Sequence, residues 1–512
     1  MWAQVSSIGL KGMEGYRLRV EVSTCVGADS FKIVGLPDAA VKEAKERIRA
    51  ALGSLGYVIS GQRIIINLSP PDQKKMGSLF DLSMAIALLI SLHELEGAVA
   101  EDTGFIGALS LDGSLQPVEG MLAAVLAAKK VGLKRLYLPF DEKLPPLDVV
   151  GVELIFAHSL QDVIGHLSGQ WIPPHFLKPN AVEQMDERGD YPDFQQIIGH
   201  SYAKFALEVA AAGGHHVLMT GPPGCGKSLL AWSLPTILPA LTRKAQLEVM
   251  SLYQLAHISY LSTAVPPFRN PHHSASGVSI IGGGQYPKPG EISLAHHGVL
   301  FLDEIGEFSK KTLDMLRQPL ENGDITISRT HATITYPASF IMLAAMNPCP
   351  CGYAGSNSHY CICSARQVLA YQNRISGPLR DRFDIQLSLK SVDLGIAGGD
   401  GRRLEESSKM VRKRVEAARQ RQYERFGREI TNGRVPYDEL IKASPLTPEQ
   451  QSMIQQLLYQ KDWSNRTQIK IIRLARTISD LSDERGSQIS DESISEAIKL
   501  NSVSGTARGQ NH

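Results

Sequence analysis

Eight consecutive residues, Gly221, Pro222, Pro223, Gly224, Cys225, Gly226, Lys227 and Ser228, have the composition and spacing to hold a triphosphate. They follow the apolar run HHVLMT and precede the helical pattern SLLAWSL, which is the strand-to-helix context that such a phosphate loop needs. The glycines let backbone N–H groups turn inward around phosphate oxygens, and the helix N-terminus adds positive potential. Lys227 would reach the β and γ phosphates of ATP, and Ser228 would give an oxygen to Mg²⁺. Downstream, GVLFLDEIGE places Asp303 and Glu304 at the tip of an apolar strand. One acid can hold hydrated Mg²⁺ there, while the next orients and deprotonates the attacking water. A further strand, SFIMLAAMN, ends in Asn347, whose amide could position that water or could simply form a turn before Pro348. Arg382, in ISGPLRDRFDIQLSL, is a candidate arginine finger because forked donors stabilise charge spread over phosphoryl oxygens; the alternative is an ion pair with Asp381 or Asp384. Arg466, Arg473 and Arg476 follow on a helical segment, where one of them could report nucleotide state by touching phosphate.

Four of the six cysteines, Cys349, Cys351, Cys361 and Cys363, crowd into one short segment. Thiolates at this density favour a tetrahedral structural Zn²⁺, with reduced loop cysteines or a labile disulfide as the alternatives. The histidine pairs His272–His273 and His296–His297 are poor metal candidates if they lie on strands, where adjacent side chains point apart.

These residues need elements to position them, and three regions supply distinct patterns. Residues 1–170 mix β-branched runs such as RIIINLS with helical stretches such as PDAAVKEAKERIRAALGSLG, an α+β pattern. Residues 171–193 have no sustained apolar period and read as a connector. Residues 194–390 alternate apolar strand runs with helices, as a parallel sheet with crossover helices requires. Residues 391–505 are helical, and the tail beyond Asn501 is expected to fray.

A chain of 512 residues with 43% hydrophobic and 21% charged residues is ordinary globular material with room for about three domains. No apolar run is long enough for a membrane span, and the start lacks a basic and apolar leader pattern, so a cytoplasmic location is expected. The net charge of +1 excludes a globally basic DNA-coating protein, although it says nothing of basic loops inside a pore.

Taken together, these motifs resemble the magnesium-chelatase-like branch of AAA+ proteins, and within it the YifB/ComM family, over essentially the whole chain. The strings that carry the resemblance include GLPDAAVKEAKERIRAAL, FDLSMAIALL, FRNPHHSAS, PGEISLAHHGVLFLDE, AAMNPCPCGY and ISGPLRDRFD. The resemblance implies an α/β architecture with a central AAA+ P-loop sheet and a C-terminal helical lid. It makes Lys227 and Ser228 the Walker A pair, Asp303 and Glu304 the Walker B acids, Asn347 sensor 1, Arg382 the finger and Arg466 sensor 2. Such motors work as homo-oligomeric rings, commonly hexamers. One departure is His200, which stands where the family usually has Gln.

The N-terminal region resembles the proteolytic domain of Lon, most clearly over residues 105–139. Leu79 and Leu122 fall where the nucleophilic Ser and its activating Lys would be, so an interaction or ring-assembly role is expected instead of proteolysis. The segment FRNPHHSASGVSIIGGGQYPKPGEISLAHHG, with its glycine run, and the hairpin DITISRTHATITYPA look like the pore loops that grip DNA in this branch. Arg269, Lys288 and Arg329 are then the phosphate-contact candidates. ComM-type members are helicases that act in branch migration during DNA uptake and integration, so a similar action on single-stranded or branched DNA is implied. A magnesium-chelatase-like remodeller of a protein partner, or a nucleotide-switched scaffold, are the alternatives.

Overall fold

The computed structural model describes residues 1–95, 99–142, 149–170, 191–260, 264–284, 287–329, 332–355, 359–391, 405–461, 463–482 and 488–502. The expected connector lies outside the described residues up to position 190. Packing divides the chain into two units, the first from residues 1–185 with 246–262, the second from 186–245 with 263–512.

The first unit is built on a seven-stranded sheet of order β3-β4-β2-β1-β5-β8-β9. Its strands are β1 (Trp2–Lys11), β2 (Glu14–Val26), β3 (Ser30–Val34), β4 (Gln62–Ser69), β5 (Thr103–Phe105), β8 (Arg135–Pro139) and β9 (Glu153–Ala157); β6 (Ala108–Leu109) and β7 (Leu115–Gln116) form a separate small hairpin. β2 shows the period of two that fixes its register, with Leu18, Val20 and Val22 buried in the core. Helix Asp81–Ser91, apolar almost all round, is buried along its length and shares that core. Leu79 and Leu122 are both buried there. Two hydrocarbon side chains at these positions provide neither a nucleophile nor a base. Leu247 and Met250, from helix Arg243–Leu255, pack on Leu122, which explains why residues 246–262 belong with this unit. The contiguous boundaries expected from sequence do not include this insertion.

The second unit contains a five-stranded sheet of order β11-β14-β17-β10-β18, parallel at every pairing. Its members are β10 (Val217–Thr220), β11 (Phe268–Arg269), β14 (Val299–Leu302), β17 (Ile341–Met346) and β18 (Ile385–Ser388). The central strands are short, uninterrupted apolar runs because both faces are covered. Helices Ser408–Phe426 and Asn465–Leu481 share one apolar core with helix Ser201–Gly213, through Val411, Val415, Leu474, Ala475, Ala206 and Ala210.

Asp480 anchors the polar part of this helical region. It is fully buried and accepts from Arg476 Nη2 at 2.9 Å, Arg425 Nη1 at 3.1 Å and Asn432 Nδ2 at 2.9 Å. Arg476 is itself 1% exposed, so this guanidinium is spent inside the lid and cannot be a phosphate sensor. Removing one partner of such a group leaves buried charge uncompensated. Asp480→Ala is expected to lower the unfolding free energy by about 3–5 kcal/mol, read from the urea midpoint of the purified chain. A loss below about 1 kcal/mol would place the arginines in water.

Candidate functional site

The phosphate loop sits at the C-terminal end of β10. Gly224 and Gly226 take φ of +76° and +88°, a region that is costly for residues with a Cβ. A Cβ on Gly221 would lie 2.7 Å from Cys225 Sγ and 2.9 Å from the Leu389 carbonyl, so close approach requires glycine there. Gly226 is the left-handed N-cap of helix Lys227–Ile237, which aims the helix N-terminus at the loop. Cys225 is buried, and burial pushes its thiol up from the ordinary value.

Lys227 joins two strands. Its Nζ donates to the carbonyls of Gly221 at 2.8 Å and Pro222 at 2.9 Å, and to Asn347 Oδ1 at 3.1 Å. Burial draws its ammonium down from the usual lysine range, against the pull of Cys225, Asp303 and Glu304. Asn347 follows β17, which pairs directly with β10. On the other side of β17, β14 delivers Asp303 and Glu304. Ser228 Oγ and Asp303 Oδ2 are 3.2 Å apart, close enough to serve one Mg²⁺ directly or through its water. Glu304 has φ +48°, ψ +48°, a left-handed conformation unusual for a side chain of this size. Its N–H donates to Asp303 Oδ1 at 2.9 Å. The structure thus brings Lys227, Ser228, Asp303, Glu304 and Asn347 together at one edge of the sheet.

Two further residues meet this cluster. His200 also has φ +56°, and its ring lies beside Gly226, with a hydrogen bond to the Cys225 backbone. Burial lowers its pKa. His273 Nδ1 lies 3.9 Å from Glu304 Oε2, a proximity that no local motif announced. The histidine pairs are not on strands: their rings pack together, with centroids 4.1 Å apart for His272–His273 and 3.9 Å for His296–His297. The expected divergence of adjacent side chains therefore fails for both.

Arg382 and Arg466 are elsewhere. Arg382 lies three residues before β18, a strand parallel to β10, and so belongs to the N-terminal edge of the sheet. The four residues of β10 separate that edge from the phosphate loop by about 13 Å at about 3.3 Å per residue. Arg382 Nη2 donates to Glu321 Oε2 at 2.7 Å, and Arg466 Nη2 to Glu321 Oε1 at 2.9 Å. The partner of Arg382 is thus Glu321, neither of the two aspartates that flank it. Arg473 Nη2 donates to the Val435 carbonyl at 2.6 Å.

Among the basic candidates, Arg269 is held bidentately by Glu291, at 2.6 and 2.7 Å. Its charge is matched within the fold, so a contact with nucleic-acid phosphate would have to compete with Glu291. Lys288 and Arg329 are exposed. Lys288 lies in β13 (Lys288–Pro289), paired with β12 (Gly282–Gly283), and Arg329 ends β15 (Asp324–Arg329), paired with β16 (Ala332–Pro337). Gly283, at φ +148°, leaves room for Arg329 Nη2, which a Cβ there would approach to 3.0 Å. The glycine run thus lets the two ribbons abut.

The four cysteine sulfurs all lie within 4.8 Å of one another. Cys349–Cys351, Cys349–Cys361 and Cys351–Cys361 are 3.3, 3.7 and 3.6 Å apart. Four thiolates at about 2.3 Å from zinc form a tetrahedron with edges of about 3.8 Å, so the donor set fits this ion. Ala354 N–H donates to Cys349 Sγ at 3.3 Å, and the Tyr353 N–H draws the Cys351 thiol down to about 6. The cysteine loop also touches the phosphate loop: a Cβ on Gly352, at φ +84°, would stand 2.7 Å from two ring carbons of Pro223.

A parallel sheet of this order, with a phosphate loop, an adjacent acid pair and a polar amide on the strand between them, defines a P-loop ATPase of the AAA+ type. Family models agree along the chain: "Magnesium chelatase, subunit ChlI" matches residues 193–395, "Subunit ChlI of Mg-chelatase" residues 20–142, and "Magnesium chelatase, subunit ChlI C-terminal" residues 405–501. The chain is 38% identical over 495 residues to the "Uncharacterized protein YifB" of Salmonella typhimurium, covering 96% of this chain and 95% of the relative. It is 38% identical over 503 residues to the "Competence protein ComM" of Haemophilus influenzae, covering 97% and 96%. Lon protease 2 of Bacillus subtilis is 24% identical over 189 residues, a third of each chain. The chain belongs to the YifB/ComM family of magnesium-chelatase-like AAA+ ATPases. No helix among the described residues is long and apolar enough to cross a membrane.

Gly352→Ala tests the contact between the two loops. The new Cβ adds about 1–2 kcal/mol of left-handed strain and must displace Pro223. Titration with a fluorescent ATP analogue is expected to give weaker binding by several-fold, on the order of 1 kcal/mol. An unchanged dissociation constant would disconnect the cysteine loop from the phosphate loop.

Proposed function

We propose that this chain is an ATP-driven DNA motor of the ComM type, working in the cytoplasm as a homo-oligomeric ring, with a hexamer as the expected form. The observation that carries the ring is the separation of Arg382 from Lys227 by the length of a parallel strand. A finger on one edge of the sheet cannot serve the phosphate at the other edge of its own subunit. It can serve the neighbour's.

In this reading Gly221 to Gly226 wrap the triphosphate in backbone N–H groups, and Lys227 leaves its carbonyl partners for the β and γ oxygens. Ser228 and Asp303 would hold Mg²⁺, which would supply positive charge to the phosphoryl oxygens. Glu304 takes the proton of the attacking water, which the Asn347 amide helps to orient. Arg382 and Arg466 meet the terminal phosphate from the adjacent subunit.

DNA as the substrate is supported by the likeness to a relative named as a competence protein and by the exposed Lys288 and Arg329 on two abutting ribbons. The four cysteines hold a structural Zn²⁺ that fixes the loop between Asn347 and helix Ala365–Gln372. The first unit acts in assembly or partner binding.

ATP turnover measured with and without single-stranded and forked DNA tests the motor. Turnover is expected to rise several-fold with DNA and to vanish in Lys227→Ala, while Glu304→Gln binds ATP with turnover down by at least about 100-fold. Hydrolysis indifferent to DNA, with no DNA binding at low salt, would instead support a protein remodeller of the magnesium-chelatase kind.

Elemental analysis is expected to find about one zinc per chain, reduced to background in a Cys349→Ser, Cys361→Ser variant, with the melting temperature falling on chelation. Wild-type protein purified without chelators and carrying no zinc would refute the metal site.

A further inference from the structure

Glu321 carries one guanidinium on each carboxylate oxygen: Arg382 Nη2 on Oε2 at 2.7 Å and Arg466 Nη2 on Oε1 at 2.9 Å. The three residues come from three separate elements. Glu321 sits near the end of helix Arg317–Asn322, Arg382 in the turn before β18, and Arg466 in the first turn of helix Asn465–Leu481. Two guanidiniums this close repel each other, and Lys470, whose Nζ donates to the Phe383 carbonyl at 3.0 Å, adds a third positive charge nearby. An anion between the arginines is what allows them to sit side by side.

The arrangement leaves donors to spare. Arg466 and Glu321 are half exposed, while the Arg382 side chain is 13% exposed, so the pair is fixed at its base and open at its tip. Arg382 Nη1 makes only a long contact to the Pro378 carbonyl at 3.4 Å, and its Nε has no hydrogen-bond partner among the described residues. The Arg382 Nε is buried, so each arginine spends one terminal nitrogen on Glu321 and keeps the other for a second, more highly charged acceptor. A terminal phosphoryl group spreads its charge over three oxygens and suits two forked donors arriving together.

We propose that Glu321 is a positioning residue that locks Arg382 and Arg466 into a single two-arginine unit, presented to the terminal phosphate of a neighbouring subunit. The proposal rests on the ring reading above. It adds that the helical lid and the sheet edge deliver their arginines jointly, through an acid that touches neither the nucleotide nor the attacking water.

Subunit mixing tests it. Glu321→Gln keeps the shape but offers one carbonyl oxygen in place of two charged ones. Its own phosphate loop is intact, so binding of a fluorescent ATP analogue is expected within about twofold of wild type, with ring assembly retained. Turnover is expected to fall by about 10- to 100-fold at nearly unchanged KM, the penalty for donors slightly out of place. Glu321→Asp should recover part of the loss if the charge is what matters.

Equimolar mixing with Lys227→Ala, which lacks a working phosphate loop but keeps its arginine pair, is expected to raise turnover above the sum of the two variants alone. Wild-type turnover in Glu321→Gln, faster turnover than wild type, or a mixture that never exceeds the sum would each overturn the proposal. Should Glu321→Gln fail to assemble, Glu321→Asp mixed with Lys227→Ala decides by the same criterion. A wild-type chain that neither assembles nor hydrolyses ATP would refute the ring reading itself, and is read separately from the variants.

Discussion

Strand polarity is the constraint on which the rest depends. In a parallel sheet every strand points its C-terminal end the same way, so loops that leave β10, β14 and β17 converge at one edge. Lys227, Asp303, Glu304 and Asn347 meet because three adjacent strands end together, and the hydrogen bond from Lys227 to Asn347 ties two of those ends. The same polarity puts the turn before β18 at the far edge, with Arg382 in it. A chain folded this way has its phosphate loop and Arg382 at opposite edges of one sheet, which makes association between copies a requirement of the proposed chemistry.

Around this constraint the packing supplies rigidity on several sides. The strands are apolar on both faces because helices cover them, and no strand can shift register without moving the whole phosphate loop. The helical C-terminal segment contributes residues to the same core, so Arg466 is placed relative to the sheet by packing as well as by its ion pair. Gly352 of the cysteine loop, itself buried, lies against Pro223. A loop of four thiols thereby sits within contact of the residues that wrap phosphate.

What could be read from sequence was whatever lies within one motif. The glycines of the phosphate loop, the acid pair after GVLFL and the amide after SFIMLAAM occur in local patterns whose strand and turn context is explicit. The cysteine cluster was equally legible, since four donors within a short stretch have few other ways to be arranged. Pairings between distant segments were not. Nothing in QPLENG marks Glu321 as the partner of two arginines, one of them more than a hundred residues away, and nothing in FRNPHH places His273 beside Glu304. Arg269 looked available because its neighbour in space, Glu291, is separated from it by the whole glycine-rich insertion. The insertion of residues 246–262 into the first unit was hidden for a similar reason: an amphipathic helix shows that it needs an apolar partner without showing which.

Glu304 stands in a left-handed backbone conformation that few side chains of its size adopt. Such a residue costs on the order of 1–3 kcal/mol and persists only because its surroundings over-determine it. Residues that accept this conformation more readily, glycine foremost and asparagine next, would relax the turn while removing the carboxylate. With Glu304 as the proposed base, thermal robustness and turnover are opposed at position 304, and a screen for more heat-resistant versions of this protein would tend to select inactive ones there.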